Sequence, residues 1–172
     1  MNKKEYKLLF QNAFKFLITD YNFKIISSKT DNWGIVIKAK NRTTGVKIID
    51  EIREAYIQIV LYRLVDGEIV DNSSSVINAT NINNDEPMLG FGLGWIIELK
   101  DPEAQLLPSY EYGEDSPFKD EENGKKNYVE FVAAKLIMYA NDILNGDFST
   151  FVALDKMVKE YFRDYYKMNN SS

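Results

Sequence analysis

Between residues 33 and 64 the chain alternates apolar and polar residues with period two, and this pattern restricts what it can fold into more than any other feature. Trp33, Ile35, Ile37 and Ala39 fall on one face of an extended segment, Lys38 and Lys40 on the other. Successive strand side chains point to opposite faces, so a half-buried strand carries this pattern and a helix does not. Phe23 to Ser28 reads as a preceding strand and Asp31-Asn32 as the turn between them. Asn41 to Gly45 forms a loop, and Val46 to Asp50 resumes the extended pattern. Ala55 to Leu64 is the longest strand candidate, with Ile57, Ile59 and Leu61 on one face and Tyr56, Gln58, Val60 and Tyr62 on the other. Asp66-Gly67 is a hairpin-type turn. Four strands with short connections read as an antiparallel meander.

Helical periodicity flanks the meander. Tyr6, Leu9, Phe10, Ala13, Phe14 and Leu17 recur at spacings of three and four, which predicts an amphipathic helix over residues 3 to 19. Tyr128, Val132, Leu136, Tyr139 and Ile143 do the same near the C-terminus. Asn145-Gly146 is a helix stop, since glycine tolerates the left-handed conformation there. Asp147 or Ser149 can cap a following helix, whose buried stripe is Phe151, Leu154, Val158, Phe162 and Tyr165. The expected fold is α+β: an antiparallel sheet of four or more strands, an N-terminal helix and a C-terminal helical hairpin. At 172 residues the chain suits one domain over 1–168, with a frayed tail at 169–172. Asp71 to Glu86 and Asp101 to Lys126 read as irregular, polar segments.

Two residue types are missing. The chain has no cysteine and no histidine. That removes disulfides, thiolate sites, cysteine nucleophiles, histidine triads and histidine-ligated zinc. An enzyme on this chain would have to use carboxylates, Lys, Tyr or Ser. No metal and no cofactor is expected. The Met1 to Lys15 stretch lacks a secretory apolar run, and no segment approaches the ~20 apolar residues of a membrane span. The expectation is a cytoplasmic protein without a membrane partner.

Residues 90 to 95 read Gly-Phe-Gly-Leu-Gly-Trp. A dinucleotide fingerprint needs Gly-x-Gly-x-x-Gly between strand and helix, and Trp95 stands where its third glycine would lie. A Walker loop needs a closing Gly-Lys-Ser/Thr, which is missing. The glycines therefore read as structural. As a strand, the segment is bulky on its odd positions (Leu89, Phe91, Leu93, Trp95, Ile97, Leu99) and bare on the even ones. A bare face lets another backbone or a ring approach closely. A helix using Leu89, Leu93, Ile96 and Ile97 is also consistent, so strand and helix both stay open. Trp33 and Trp95 read as core or core-edge residues in preference to a ligand-stacking pair. Ser116-Pro117-Phe118-Lys119 matches Ser-x-x-Lys but lacks the companion motifs of acyl-enzymes and reads as chance.

Charge is unevenly placed. The net charge is −5. From Glu98 to Glu122 there are nine acids and two lysines, a local −7; the rest of the chain carries 17 acids and 19 bases, or +2. Tyr110, Tyr112 and Phe118 punctuate that segment. No EF-hand ligand pattern is present in it. Acids mixed with exposed rings suit a basic partner surface, because charge steers approach and rings supply anchor area. The partner-binding candidates are Tyr110, Glu111, Tyr112, Glu114, Asp115, Asp120, Glu121 and Glu122; a solubilising loop is the plain alternative. Nucleic acid is not expected as a partner, because phosphates demand a basic surface.

The opening helix running into Asp20-Tyr21-Asn22-Phe23, the meander, and the late Ile143-Leu144-Asn145-Gly146-Asp147-Phe148 resemble small uncharacterised proteins of Gram-positive bacteria. Some of these look like immunity proteins of polymorphic toxin systems. Asn22 departs from that pattern, where glycine is expected. The resemblance implies a non-enzymatic, cytoplasmic protein that binds a toxin, and the acidic segment would suit a basic toxin domain. A small-ligand-binding domain with an aromatic-lined pocket between sheet and helices remains open, as does a carboxylate-based enzyme.

Overall fold

The alternating segment forms the sheet that its pattern dictates. The computed structural model describes residues 1–51, 53–70, 86–104, 106–109, 116–119 and 123–169. Five antiparallel strands lie in chain order: β1 (Lys24–Thr30), β2 (Gly34–Lys40), β3 (Thr44–Glu51), β4 (Gln58–Arg63) and β5 (Gly90–Gly92). Register stacks Ile37, Ile48 and Ile59 across three strands, with Ala39, Val46, Leu61 and Phe91 in the adjacent row. All are buried and form the core face. Apart from Ala39, each such side chain contributes about 1.5–3 kcal/mol by leaving water.

Several boundaries differ from the sequence expectation. β1 starts at Lys24, and Phe23 precedes it as a core residue. β3 starts at Thr44 and is the longest strand, whereas β4 has six residues in place of the expected Ala55 to Leu64. Ala55 and Ile57 are held by other bonds: Ser109 N–H donates to Ala55 O at 2.6 Å, and Ile57 N–H donates to the Tyr128 hydroxyl at 3.3 Å. Trp33 is not a core residue; it is 60% exposed, with the Arg53 guanidinium 4.7 Å from its ring centre. The turn before β2 turns it outward: Asp31 Oδ1 accepts from the Trp33 and Gly34 N–H groups. Gly34 has φ +153°, and a Cβ there would lie 1.9 Å from Asp50 O.

The glycine stretch is both strand and helix. Gly90–Gly92 forms β5, and α3 (Leu93–Lys100) starts at the next residue. The strand thus sits inside the motif and not before it. Gly90 is bare because Tyr62, its cross-strand partner, lies over it; a Cβ would meet the Tyr62 ring at 2.6 Å.

Helices cover the core face. α1 (Lys3–Ala13) opens with a capping box: Asn2 Oδ1 accepts from Lys4 and Glu5 N–H groups, and Glu5 accepts from Asn2 N–H. The helix expected over 3 to 19 breaks at Phe14-Lys15 and resumes as α2 (Phe16–Thr19), yet Phe10, Phe14 and Leu17 all remain buried. Asn22 has φ +57°, a conformation that Asn tolerates better than other non-glycine residues. α4 (Gly124–Leu144) and α5 (Phe151–Asn169) are joined by a turn in which Gly146 has φ +87°. Neither proposed residue caps α5, which starts at Phe151; Asp147 instead accepts from Ser149 N–H at 2.9 Å in the turn before it. That bond and the Ser149 hydroxyl hold its carboxyl below the ordinary range. α3 packs against both α4 and α5. Lys100 Nζ reaches Tyr139 O and Asp142, both at 2.7 Å, where Ala140 leaves helical geometry. Tyr128, Val132, Leu136 and Ile143 are fully buried, as are Leu154 and Val158; Phe162 is half-buried and Tyr165 exposed, so the α5 stripe ends earlier than expected. Residues 170–172 of the expected tail, and 71–85 of the first polar segment, lie outside the described residues. Among the described residues no helix is long and apolar enough to cross a membrane.

Candidate functional site

The eight partner-binding candidates, Tyr110, Glu111, Tyr112, Glu114, Asp115, Asp120, Glu121 and Glu122, all lie outside the described residues. Their flanks are described. On one side Ser109 is buried and bonded to Ala55 O. On the other, Phe118 is buried against the rings of Tyr128 and Phe131, at 5.3 and 5.1 Å. Phe118 is therefore a core anchor and not one of the exposed rings of the acidic segment. Ser116 Oγ accepts from Phe118 N–H, so the Ser-x-x-Lys match is a local turn.

A concavity lies where β5 ends short of β4. It is about 880 Å³ and is lined by residues 56–60 of β4 and its approach, 92–95 and Glu98 of β5 and α3, Leu106, and Tyr161 of α5. Ile57, Ile59 and Leu93 have their side chains in the core, so what they turn to the groove is main chain. Aromatic residues make its rim: Tyr56 is exposed, and Tyr161 is 53% exposed and meets Trp95 edge-to-face at 5.0 Å. Such edge-to-face packing holds both rings in place. Trp95 is thus at the core edge, as expected, and far from being paired with Trp33, whose ring takes Arg53. The lining carries one carboxylate, Glu98, exposed at the surface.

A clamp fixes the wall. Asp155 Oδ1 accepts from Met88 N–H at 2.8 Å, and Lys159 Nζ, itself nearly buried, binds Asp155 at 2.9 Å and Glu86 O at 2.8 Å. These bonds hold residues 86–88 on α5 and so set where β5 begins.

Two further charge features came from the register. Asp50 is buried at 1% exposure on the core face. Lys125 Nζ lies 2.7 Å from its Oδ2, and the Tyr6 hydroxyl donates to the same oxygen. The nearby Tyr128 hydroxyl is pushed up to about 12, chiefly by burial. This cluster ties α1, β3 and α4 together; its carboxylate is already bonded by two groups, and it does not line the groove. On the outer face, pairing sets Lys24 beside Lys40 and Lys38 beside Lys47, with Lys29 on the same face. Like charges directly opposite repel. Lys40 is countered by Glu68 at 2.6 Å.

No protein-family model, no curated protein and no solved structure matches this chain.

Proposed function

We propose that this protein acts in the cytoplasm by binding another protein, without catalysis, and that it is an immunity protein that neutralises a co-encoded toxin through its acidic segment. The observation that carries this reading is charge segregation: the chain's whole negative excess falls between Glu98 and Glu122. Supporting it, the acids at 111 to 115 follow Ser109, which is buried and bonded to Ala55 O. The negative net charge favours a basic protein over nucleic acid, although the lysines of the outer sheet face argue locally the other way. The test replaces Glu111, Glu114, Asp115, Asp120, Glu121 and Glu122 by Gln or Asn and measures association with the product of the adjacent gene at low and high salt. Association should slow, most strongly below ~0.1 M salt, where the Debye length exceeds ~10 Å. Unchanged rates at both salts remove the acids from the mechanism, and absence of any complex removes the immunity reading.

A second reading has its own observation. The groove, with Tyr56, Trp95 and Tyr161 on its rim, has the size and apolar character of a small-ligand site.

A further inference from the structure

We propose that the groove beside β5 binds a small organic cation, a methylated ammonium group carried on an apolar body, with the rings of Tyr56, Trp95 and Tyr161 around the charge and Glu98 balancing it. The inference rests on the small-ligand reading above and names the class of ligand that the groove takes.

Charge decides the sign of the ligand. Among the described residues that line the groove, Glu98 is the one charged group, and it has no hydrogen bond or ion pair there. Trp95 and Glu98 are three residues apart on α3, so they share a face. The rings agree with a cation. Trp95 and Tyr161 meet at 65° with their centres 5.0 Å apart, so their planes make a corner. Phe162, which packs against the core, lies 6.1 Å from Trp95 and 5.2 Å from Tyr161 and braces that corner before any ligand arrives. A ring face attracts a cation held within about 6 Å of its centre. Elsewhere the chain supplies that cation itself: Arg53 to Trp33, Arg63 to Phe148, and Lys135 to Phe131 and Tyr139. Tyr56, Trp95 and Tyr161 have none among the described residues.

The floor explains why the ammonium is methylated. Its main chain is already bonded: the pairing of Leu61 with Phe91 and of Val60 with Gly92 puts Leu93 N–H on Ile59 O, and the Tyr128 hydroxyl accepts from Ile57 N–H. A primary ammonium carries three N–H donors that lose their water on entry, and Ile59 O is already taken. A quaternary nitrogen has no donor to satisfy, and aromatic rings can surround it. The groove, about 880 Å³, falls in the range of sites that enclose a whole small molecule, so the charge is one end of a larger ligand. That size favours a free molecule over a head group presented from a membrane or a modified side chain. Val60 and Leu106, both half-buried, line the groove and suit an apolar body. A Cβ at Gly94 would meet nothing within 4 Å, which leaves room beside Trp95 for the ligand to enter.

The test uses the whole protein with Trp33→Phe, which leaves Trp95 as the fluorescent reporter, and repeats each titration by calorimetry. The probes are hexyltrimethylammonium, hexylammonium, 1-hexanol and hexanoate. Hexyltrimethylammonium should bind and shift the Trp95 emission. Hexylammonium should bind about three- to fivefold more weakly, and 1-hexanol and hexanoate at least about tenfold more weakly. Tyr161→Leu keeps an apolar side chain at an exposed position and should weaken the quaternary probe at least about fivefold. Glu98→Gln, also exposed, should weaken it about two- to fivefold, as for a surface ion pair. No binding of any probe at about 10 mM would overturn both this inference and the small-ligand reading. 1-Hexanol or hexylammonium matching the quaternary probe, or unchanged affinity in both variants, would overturn this inference alone and leave the groove a small-ligand site. Sedimentation with dioleoylphosphatidylcholine vesicles would overturn it by passing the groove to a lipid head group. A capped trimethyl-lysine peptide binding at least about tenfold more tightly than hexyltrimethylammonium would overturn it by passing the groove to a modified protein.

Discussion

Replacing Lys125 with Met removes the charge that balances Asp50 while keeping a side chain of similar length. The Asp50 side chain is 2% exposed and that of Lys125 12%, with 2.7 Å between the charged atoms. Without its partner the carboxylate stays buried with the Tyr6 hydroxyl as its donor. Breaking a buried ion pair from one side costs about 3–5 kcal/mol, because the remaining charge is out of water and uncompensated. The retained Tyr6 bond puts the expected loss at the low end, about 3 kcal/mol. A domain of this size loses about 2–4 °C of melting temperature per kcal/mol, so the melting temperature should fall by about 6–12 °C. Urea unfolding followed by circular dichroism measures the loss directly. Asp50→Asn added to Lys125→Met should restore part of it, since the orphaned charge is then gone, and the double-mutant cycle should show a coupling of at least about 1.5 kcal/mol. A single variant within about 1 kcal/mol of the parent, or a cycle additive within about 0.5 kcal/mol, would refute the claim that this pair is desolvated and coupled.

Two glycines should respond in opposite directions. Gly34→Ala should cost more than about 2 kcal/mol, because its Cβ would fall 1.9 Å from a backbone oxygen; Gly94→Ala should add about 0.5 kcal/mol in urea unfolding, since it gains helix propensity and touches nothing. Alkaline stability should follow Tyr128, whose folded value is raised from 10.0 to about 12 by burial. A raised value means that the neutral phenol is favoured by folding, so its contribution is whole below about pH 10 and declines as pH rises to about 12; Tyr128→Phe should flatten that part of a stability-against-pH curve, and an unchanged slope would deny the hydroxyl its role.

The core face was legible where a strand simply alternates: Ile35, Ile37 and Ala39 are buried as their spacing demands. Trp33 extends the same spacing by one step but lies in the turn, where Asp31 captures its N–H, and period alone cannot see where a strand begins. Residues 90 to 100 supported strand and helix equally, and pairing decides between them: Gly90 opposite Tyr62 fixes three residues as strand, and the rest is free to coil. The groove was illegible for a different reason. Its floor is main chain, which has no letter in the sequence, and its walls come from four separated stretches. The bare glycines beside Trp95 were its one visible trace. The Lys38–Lys47 pairing and the Asp50–Lys125 pair likewise required register, which no local pattern supplies.

β5 has a consequence for the order of assembly. β1 to β4 join through short hairpins, whereas β5 must find β4 across residues 64 to 89. Closing a loop of about 25 residues costs about 3 kcal/mol in chain entropy beyond a constant term. Three paired residues, at about 1 kcal/mol per net hydrogen bond, do not comfortably exceed that. What retains β5 is Phe91, buried edge-to-face on Phe151 at 4.8 Å, and the hold of Asp155 and Lys159 on residues 86 to 88. Those three partners all lie on α5. A nascent chain still lacking residues 151 to 169 can form the meander but has nothing to seat β5 against, so the groove takes shape last, after the sheet, with the docking of the final helix.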